Sequence, residues 1–179
     1  MAEAITIARP YAEGVFALAK EHGDFDRWSE MLEAAATVAS DADMKALTGT
    51  PLVDRQQLAD LFIEICGERL DEQGRNLVRL LIHHRRLDLL PTIAAHYKAL
   101  RNEAEGVVEV QITTARPLDD ALRAKLVDGL GRRLDRKIEV TVEDTDEQLL
   151  GGAVVRAGDL VIDGSARGQL KRMTSALSP

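Results

Sequence analysis

The spacing of the apolar residues changes near Gly106, and this change constrains the fold more than any other feature of the 179-residue chain. From the N-terminus to about residue 105, apolar residues recur at the spacing of amphipathic helices. After Gly106, Val108, Val110 and Ile112 alternate with polar residues, which indicates a half-buried strand. Since glycine breaks a helical pattern, a hinge is expected at 103–106. We therefore predict an α+β protein, with an antiparallel bundle of about six helices over 1–105 and a small α/β domain over 106–179.

Two helices of the predicted bundle have more apolar surface than one neighbour can cover. A helix that packs on a single neighbour needs an apolar stripe of only about 100°. The first helix, at about 4–21, is apolar around about half of its circumference, and the small residues Ala8, Ala12 and Ala19 lie in the middle of that half. A later helix, which begins near Asp71, is also apolar over a wide arc. A groove between two such helices suits the capture of a partner's amphipathic helix.

Capping and helix-breaking residues place the other helices of the bundle. Asp24 or Asp26 can cap the second helix, and Asp54 can begin a helix that ends near Gly67. Pro91 is expected in the first turn of the last helix. The apolar residues expected to share the core face of the helix after Asp54 are Leu58, Leu61, Phe62 and Ile65.

The second part of the chain combines strands, a hairpin and two helices. Ile138, Val140 and Val142 alternate with polar residues, which predicts a second strand. A Gly-Asp pair then separates two β-prone runs, as in a two-residue hairpin, and Asp163 or Ser165 can cap a final helix. These elements predict a mixed sheet with two helices on it. The apolar stripes expected to face the sheet are Leu118, Leu122, Leu126 and Leu130 on one helix, and Ala166, Leu170, Met173 and Leu177 on the other.

The composition argues against several classes of function. A formal net charge of -7 disfavours a surface selected to bind phosphate backbones or anionic lipids. Aromatic residues make up only 3% of the chain, which disfavours stacking on single-stranded nucleic acid. No continuous apolar stretch approaches the roughly 20 residues of a membrane-spanning helix. The single cysteine, Cys66, lies in an apolar helical run, which predicts a buried thiol.

No catalytic, cofactor-binding or metal-binding constellation is predicted. The chain has no phosphate-binding Gly-x-x-x-x-Gly-Lys loop, and its four histidines do not have a metal-ligand spacing. His83 is expected to face solvent and His84 to face the packing side of its helix. From the residues alone, the chain is expected to be a protein-binding adaptor that needs no cofactor.

Two segments resemble one protein family. The run 152–170, Gly-Ala-Val-Val-Arg-Ala-Gly-Asp-Leu-Val-Ile-Asp-Gly-Ser-Ala-Arg-Gly-Gln-Leu, resembles the C-terminal signature of the delta subunit of F-type ATP synthases. The mitochondrial counterpart of this family is the oligomycin-sensitivity-conferring protein. The segment 8–19, Ala-Arg-Pro-Tyr-Ala-Glu-Gly-Val-Phe-Ala-Leu-Ala, resembles the first helix of the same family.

The resemblance implies a non-catalytic stator subunit. In this family the N-terminal bundle binds the N-terminal helices of the alpha subunits, and the C-terminal domain binds the ends of the b subunits in the peripheral stalk. The subunit thereby links the catalytic head to the stalk, so that rotor torque is coupled to ATP synthesis and proton transport. The absence of a transit peptide favours a bacterial protein on the cytoplasmic side of the plasma membrane.

Candidate binding residues follow from the matched positions. For the alpha-subunit helix, the matches in the first helix are Ala8, Tyr11, Ala12 and Val15, and the residues added from their position on the second wide helix are Val78, Leu81 and Ile82. For the stalk, the candidates are Arg156, Arg167 and Lys171.

Two alternatives from other classes are open at this point. One is a small enzyme that binds a phosphorylated ligand at the helix start near Gly164 and Ser165. The other is a nucleic-acid-binding module, which the net charge disfavours.

Overall fold

The structure is a computed structural model that describes residues 2–50 and 53–177, with side chains described for 4–50 and 53–175. The chain forms two compact units, Met1–Arg101 and Asn102–Pro179. The division falls just before the expected hinge at 103–106, inside a helix that spans Leu90–Glu105.

Helices account for the regular structure of the first unit. The described residues form six α-helices there, as the helical periodicity predicts, and two short 3-10 helices at Gly67–Arg69 and Leu87–Leu89. The α-helices are α1 (Ala2–His22), α2 (Phe25–Ser40), α3 (Ala42–Thr48), α4 (Arg55–Cys66), α5 (Glu72–His83) and α6 (Leu90–Glu105).

Aspartate side chains begin three of these helices. The carboxylates of Asp41, Asp54 and Asp71 accept hydrogen bonds from backbone N–H groups in the first turns of α3, α4 and α5. Asp24 precedes α2, but its side chain makes no capping hydrogen bond. Gly67 ends α4 with a φ of 58°, which a residue with a side chain rarely adopts.

One apolar core fills the first unit. It includes Trp28, Phe62, Leu90, Ile93 and Tyr97, all almost completely buried. The Tyr97 hydroxyl donates a 3.0 Å hydrogen bond to the carbonyl of Phe25, so its polar end is satisfied inside the bundle.

Two expectations about the helical unit are wrong. Leu61 and Ile65 were expected on the core face of α4, but they are 40% and 53% exposed. The buried face is turned toward Ala59 and Cys66, which lie on it together with Leu58 and Phe62. His84 was expected on the packing side of α5, but it caps the helix at its exposed C-terminal end.

The second unit is a four-stranded mixed sheet with two helices, as predicted. The strands are β1 (Val107–Thr114), β2 (Lys137–Thr145), β3 (Ala153–Ala157) and β4 (Leu160–Asp163), and the helices are α7 (Asp120–Leu134) and α8 (Ala166–Leu177), with a short 3-10 helix at Glu147–Leu149. The strand order is β2-β1-β3-β4. β1 pairs parallel with β2 and antiparallel with β3, and β3 and β4 form the predicted hairpin.

An irregularity between β1 and β2 moves one predicted core residue to the surface. Val110 pairs with Val140, but Gln111 pairs with Val142, so Thr141 is an extra residue in β2. Side chains of paired residues lie on the same face of a sheet, and Gln111 is exposed. Val142 is therefore exposed, whereas the alternation predicted that it would be buried.

The stripe predicted on α7 is buried only at its C-terminal end. Leu130 packs in the core of the second unit with Val110, Ile112 and Val155, whereas Leu122 is about half exposed. The N-terminal part of α7 is attached to β2 by an ion pair between Arg123 and Glu143 instead.

Candidate partner-binding surfaces

The small residues of α1 are enclosed by the protein's own helices. Ala8, Ala12 and Ala19 have no exposed surface, and Val15 is almost completely buried. They belong to one core with residues of the other helices of the bundle. The close approach that small side chains allow is therefore used within the unit.

The three candidates on α5 are buried in the same core. Val78, Leu81 and Ile82 are each at most 4% exposed. These three side chains and the small residues of α1 cannot contact a partner while the bundle keeps this packing. The wide apolar arcs on α1 and α5 thus serve contacts with neighbours in the bundle, and the binding of a partner helix between them stays a prediction. Of the seven residues proposed for the alpha-subunit helix, only Tyr11 is partly exposed.

An apolar edge of α1 next to the buried stripe is accessible. Ile7, Tyr11, Gly14 and Leu18 follow one another at spacings of four, three and four residues, so they lie along one line on the helix. Ile7 and Tyr11 are half-buried, the space beside Gly14 is open, and Leu18 is 40% exposed. This line is long enough to accompany three turns of a second helix.

Helix α5 also has a line of accessible residues along one side. Leu77, Leu80 and His84 follow one another at spacings of three and four residues. Leu77 packs against the core, Leu80 is 45% exposed and His84 is exposed.

Arg86 connects the edge of α1 to the segment that follows α5. Its Nη1 atom donates a 2.9 Å hydrogen bond to the Tyr11 hydroxyl, and its guanidinium carbon lies 5.8 Å from the centre of the Tyr11 ring. Arg86 follows the last residue of α5 by three positions, so Tyr11 contacts the segment that leads out of α5. We call the accessible apolar side chains Ile7, Tyr11, Leu18, Leu77 and Leu80, which range from half-buried to exposed, the edge surface.

In the second unit, the segment between β4 and α8 is closed by hydrogen bonds. Asp163 Oδ1 accepts from the Ser165 N–H at 2.9 Å and from the Ser165 hydroxyl at 2.6 Å. The Ser165 Oγ atom in turn accepts from the N–H of Gly168 at 3.0 Å, which caps α8. The hydroxyl and N–H of Ser165 lower the pKa of Asp163. Both residues predicted to cap the final helix therefore take part in the cap.

Two glycines allow this segment to fold so tightly. A methyl group at Gly168 would overlap the carboxylate of Asp163, and one at Gly152 would overlap the carbonyl oxygen of Gly164. Gly152 also has a φ of +76°. These residues of the sequence signature therefore build the second unit.

The same hydrogen bonds count against a phosphate site at the start of α8. Helix N-termini bind phosphate through free backbone N–H groups. Here the N–H groups of Ser165 and Gly168 are taken by side chains, and that of Ala166 donates to the Gly151 carbonyl at 2.9 Å. The negatively charged carboxylate of Asp163 accepts the hydrogen bonds that a bound phosphate would otherwise accept at this helix start. The helix start near Gly164 and Ser165 is therefore not a phosphate site, and the alternative of a small phosphate-binding enzyme is not supported there.

The basic candidates of the second unit are accessible at three places. Arg167 donates a 3.1 Å hydrogen bond to the side chain of Gln148 and so joins α8 to the preceding 3-10 helix. Lys171 is exposed one turn further along α8, and Arg156 is exposed on β3.

The apolar stripe of α8 is exposed, although it was expected to face the hairpin. Leu170 is 56% and Met173 is 61% exposed, and the side chain of Leu177 lies outside the described residues. Hydrogen bonds join the helix to the rest of the unit: the Ala166 N–H donates to the Gly151 carbonyl, and the side chains of Arg167 and Arg172 donate to Gln148 and to the Asp163 carbonyl. An amphipathic helix without a cover for its apolar side is typical of a binding element.

Comparisons with known proteins match the whole chain. The family model "ATP synthase delta (OSCP) subunit" matches residues 7–177. ATP synthase subunit delta of Thioalkalivibrio sulfidiphilus is 49% identical over 178 residues, which cover 99% of each chain. The protein of the same name from Alkalilimnicola ehrlichii is 49% identical over 179 residues, again covering 99% of each chain. The chain belongs to the ATP synthase delta (OSCP) subunit family.

A solved structure has the same fold as this delta-family chain. A chain of the mitochondrial ATP synthase hexamer of Toxoplasma gondii superposes with a TM-score of 0.69 at 20% sequence identity, and the match covers 96% of this chain and 98% of that one. As a member of the delta family, this chain is a non-catalytic component of the peripheral stalk, which links the catalytic head of ATP synthase to the stator.

Three further observations concern the described residues of this delta-family chain. Among them, no group of three or more His, Cys, Asp or Glu side chains could hold a metal ion. None of the described helices combines the length and apolar character needed to cross a bilayer. Burial raises the pKa of the Cys66 thiol, while nearby Arg69 acts in the opposite direction, so the neutral thiol predominates at neutral pH.

Sequence reasoning missed the edge surface and the exposed stripe of α8 for one reason. Helical periodicity shows which side of a helix is apolar, but it does not show how much of that side the chain itself covers. The spacing of Ile7, Tyr11, Gly14 and Leu18 was a usable signal, since it forms a line separate from the alanines.

Proposed function

We propose that this chain holds the catalytic head and the peripheral stalk together through two surfaces, one in each unit. The helical unit binds the amphipathic N-terminal helix of an alpha subunit, and the α/β unit binds the C-terminal ends of the b subunits. The proposal places the chain at the cytoplasmic side of a bacterial plasma membrane, outside the bilayer. Its main support is that each unit leaves a line of apolar side chains accessible along one side of a helix.

The alpha-subunit helix is proposed to lie on the edge surface. Leu18 and Leu80 are its most exposed apolar members, and Tyr11 is held in place by Arg86. A helix laid on the edges of α1 and α5 would insert apolar residues at i, i+4 and i+7 between them. In this arrangement Ala8, Ala12, Val15, Val78, Leu81 and Ile82 support the surface from within the core.

Binding of a synthetic peptide, taken from the N-terminus of an alpha subunit, to the full-length chain tests this surface. Leu18→Asp places a charge in the proposed contact, and we expect the dissociation constant to rise at least tenfold, because a buried charge without a partner is strongly unfavourable. Leu61→Asp is the matched control, since Leu61 is equally exposed but lies on α4. Equal weakening by both variants, or by neither, would remove the edge surface from the proposal.

The stalk is proposed to bind along α8. Leu170 and Met173 supply apolar contact, and Lys171 and Arg167 flank them with positive charge. An Arg or Lys beside an exposed apolar stripe suits a partner helix with apolar and acidic residues. Arg156 on β3 is retained as a further stalk contact.

Binding of a soluble fragment from the C-terminal end of the b protein to the full-length chain tests this second surface. We expect Met173→Asp to weaken binding at least tenfold and Leu150→Asp to leave it within about twofold. Leu150 is a demanding control, since it is 71% exposed in the same unit but lies outside α8. If Leu150→Asp weakens binding more than Met173→Asp does, the stalk surface lies elsewhere.

A further inference from the structure

A cavity in the helical unit has a composition that partner binding does not explain. It has a volume of about 430 Å³, within the range typical of small-molecule sites. It is formed by the end of α3, the beginning of α4 and the segment that follows α5. None of its lining residues belongs to the edge surface.

The cavity is apolar inside and positively charged at its opening. Leu58, Ile82 and Leu87 line it and are buried. Its exposed lining residues include three cations, Lys45, Arg55 and Arg85, against one carboxylate, Asp88. The charged groups of the lining therefore sum to a positive charge above an apolar interior.

None of the three cations has an ion pair with another described residue. The contacts of Lys45 and Arg85 include no carboxylate within salt-bridge distance, whereas Arg55 donates a 3.1 Å hydrogen bond to the carbonyl of His83. Lys45 and Arg85 are thus available to an anion that enters the cavity.

The backbone of Arg85 adds an independent indication. Its φ is 57°, in the left-handed region where a residue with a side chain is strained. The N–H of Arg85 donates to the carbonyl of Ile82 at 3.0 Å, and that of Arg86 donates to Leu81 at 2.8 Å. This is the helix ending in which glycine is the preferred residue. An arginine at this position is less stable than glycine because of its backbone strain, and its side chain lines the cavity.

We propose that this cavity binds a small anionic amphiphile, a molecule with a carboxylate or phosphate head and a short apolar chain. The head lies between Lys45 and Arg85, and the chain contacts Leu58, Ile82 and Leu87. Neither a purely apolar molecule nor a free inorganic anion uses both parts of the lining. Binding would stabilise the packing of α3, α4 and α5.

Octanoate is a suitable probe, with the full-length chain titrated by calorimetry and by amide NMR. We expect saturable binding, with chemical-shift changes centred on Thr48, Gly49 and Leu58. The uncharged 1-octanol and inorganic phosphate, tested at the same concentrations, should each bind at least tenfold more weakly. Equal binding of octanol would show simple apolar partition, and equal binding of phosphate would show a general anion site, and each result would overturn the proposal.

Arg85→Gly separates ligand binding from folding. Glycine suits the left-handed backbone, so the melting temperature without ligand should stay the same or rise. Octanoate affinity should nevertheless fall about tenfold, and Lys45→Gln should give a similar loss. Lys20→Gln, which removes an exposed charge on α1, is the control and should bind normally. Unchanged octanoate affinity in both Arg85→Gly and Lys45→Gln would contradict the assignment.

Discussion

At the scale of single residues, short polar side chains and glycines determine where helices begin and how closely segments approach. Caps such as Asp54 and Asp71 were predictable, because a cap bonds only to the next few residues. The contact between Asp163 and Gly168 was not, since the sequence does not show that a carboxylate folds back over the first turn of α8. Such close contacts leave no room for a side chain at Gly152 and Gly168 of the family signature.

Gly152 is expected to be the most sensitive glycine of the second unit. Gly152→Ala combines a left-handed backbone with an overlap on the Gly164 carbonyl oxygen, so it should destabilise this unit by about 2 kcal/mol or more. Gly158→Ala is the matched control, because Gly158 has a φ of +58° but open space around it. It should cost about 1 kcal/mol. Hydrogen exchange at Ile112 and Val155 measures both, and equal losses would contradict the role of the overlap.

Asp71 is expected to make the stability of the helical unit depend on pH. Burial acts to raise its pKa, but hydrogen bonds from Gly74, Arg27 and Gln73 outweigh it, so the folded pKa is lowered. The resulting stabilisation is fully present above the unfolded pKa of about 4 and is lost as the pH falls through the folded value. Unfolding followed by Trp28 fluorescence between pH 2 and 6 measures this loss.

A substitution that keeps the cap but removes the charge isolates this effect. Asp71→Asn should flatten the acidic part of the pH profile, while Asp71→Ala should in addition lower stability by about 1 kcal/mol at neutral pH. Asp24→Asn is the control, since Asp24 makes no side-chain cap bond. An unchanged profile in Asp71→Asn would show that other carboxylates carry the dependence.

At the scale of elements, periodicity predicted the six helices, the strand alternation and the hairpin. It did not predict which apolar faces are buried by other elements of the chain. The apolar arcs of α1 and α5 looked like binding grooves and proved to be core. The stripe of α8 looked like core and proved to be exposed. Periodicity is a property of one element, whereas burial depends on which other elements pack against it, and β2 shows that one extra residue is enough to reverse a face.

The exposed stripe of α8 should contribute little to the stability of the isolated chain. We expect Leu170→Gln and Met173→Gln each to change the free energy of unfolding by less than about 0.5 kcal/mol, because their apolar surface is already in contact with water. Leu130→Ala, at a buried position of the same unit, should cost about 2 to 4 kcal/mol. Denaturant unfolding monitored by far-UV circular dichroism provides the comparison. A large loss from either glutamine variant would show that the stripe is packed in solution.

At the scale of the whole molecule, two folding units and two uncovered apolar surfaces fit a component that joins two other bodies. The start of α8 is closed to phosphate by its own hydrogen bonds. The role in ATP synthase follows from family membership. The assignment of one partner to each unit is the proposal that needs measurement.

Sedimentation of the full-length chain with both the isolated catalytic head and the soluble fragment of the b protein tests this division directly. We expect a ternary complex. Leu18→Asp should lose the head and keep the b fragment, and Met173→Asp should lose the b fragment and keep the head. Loss of both partners in either variant, or competition between the two partners for the wild-type chain, would contradict two separate binding surfaces.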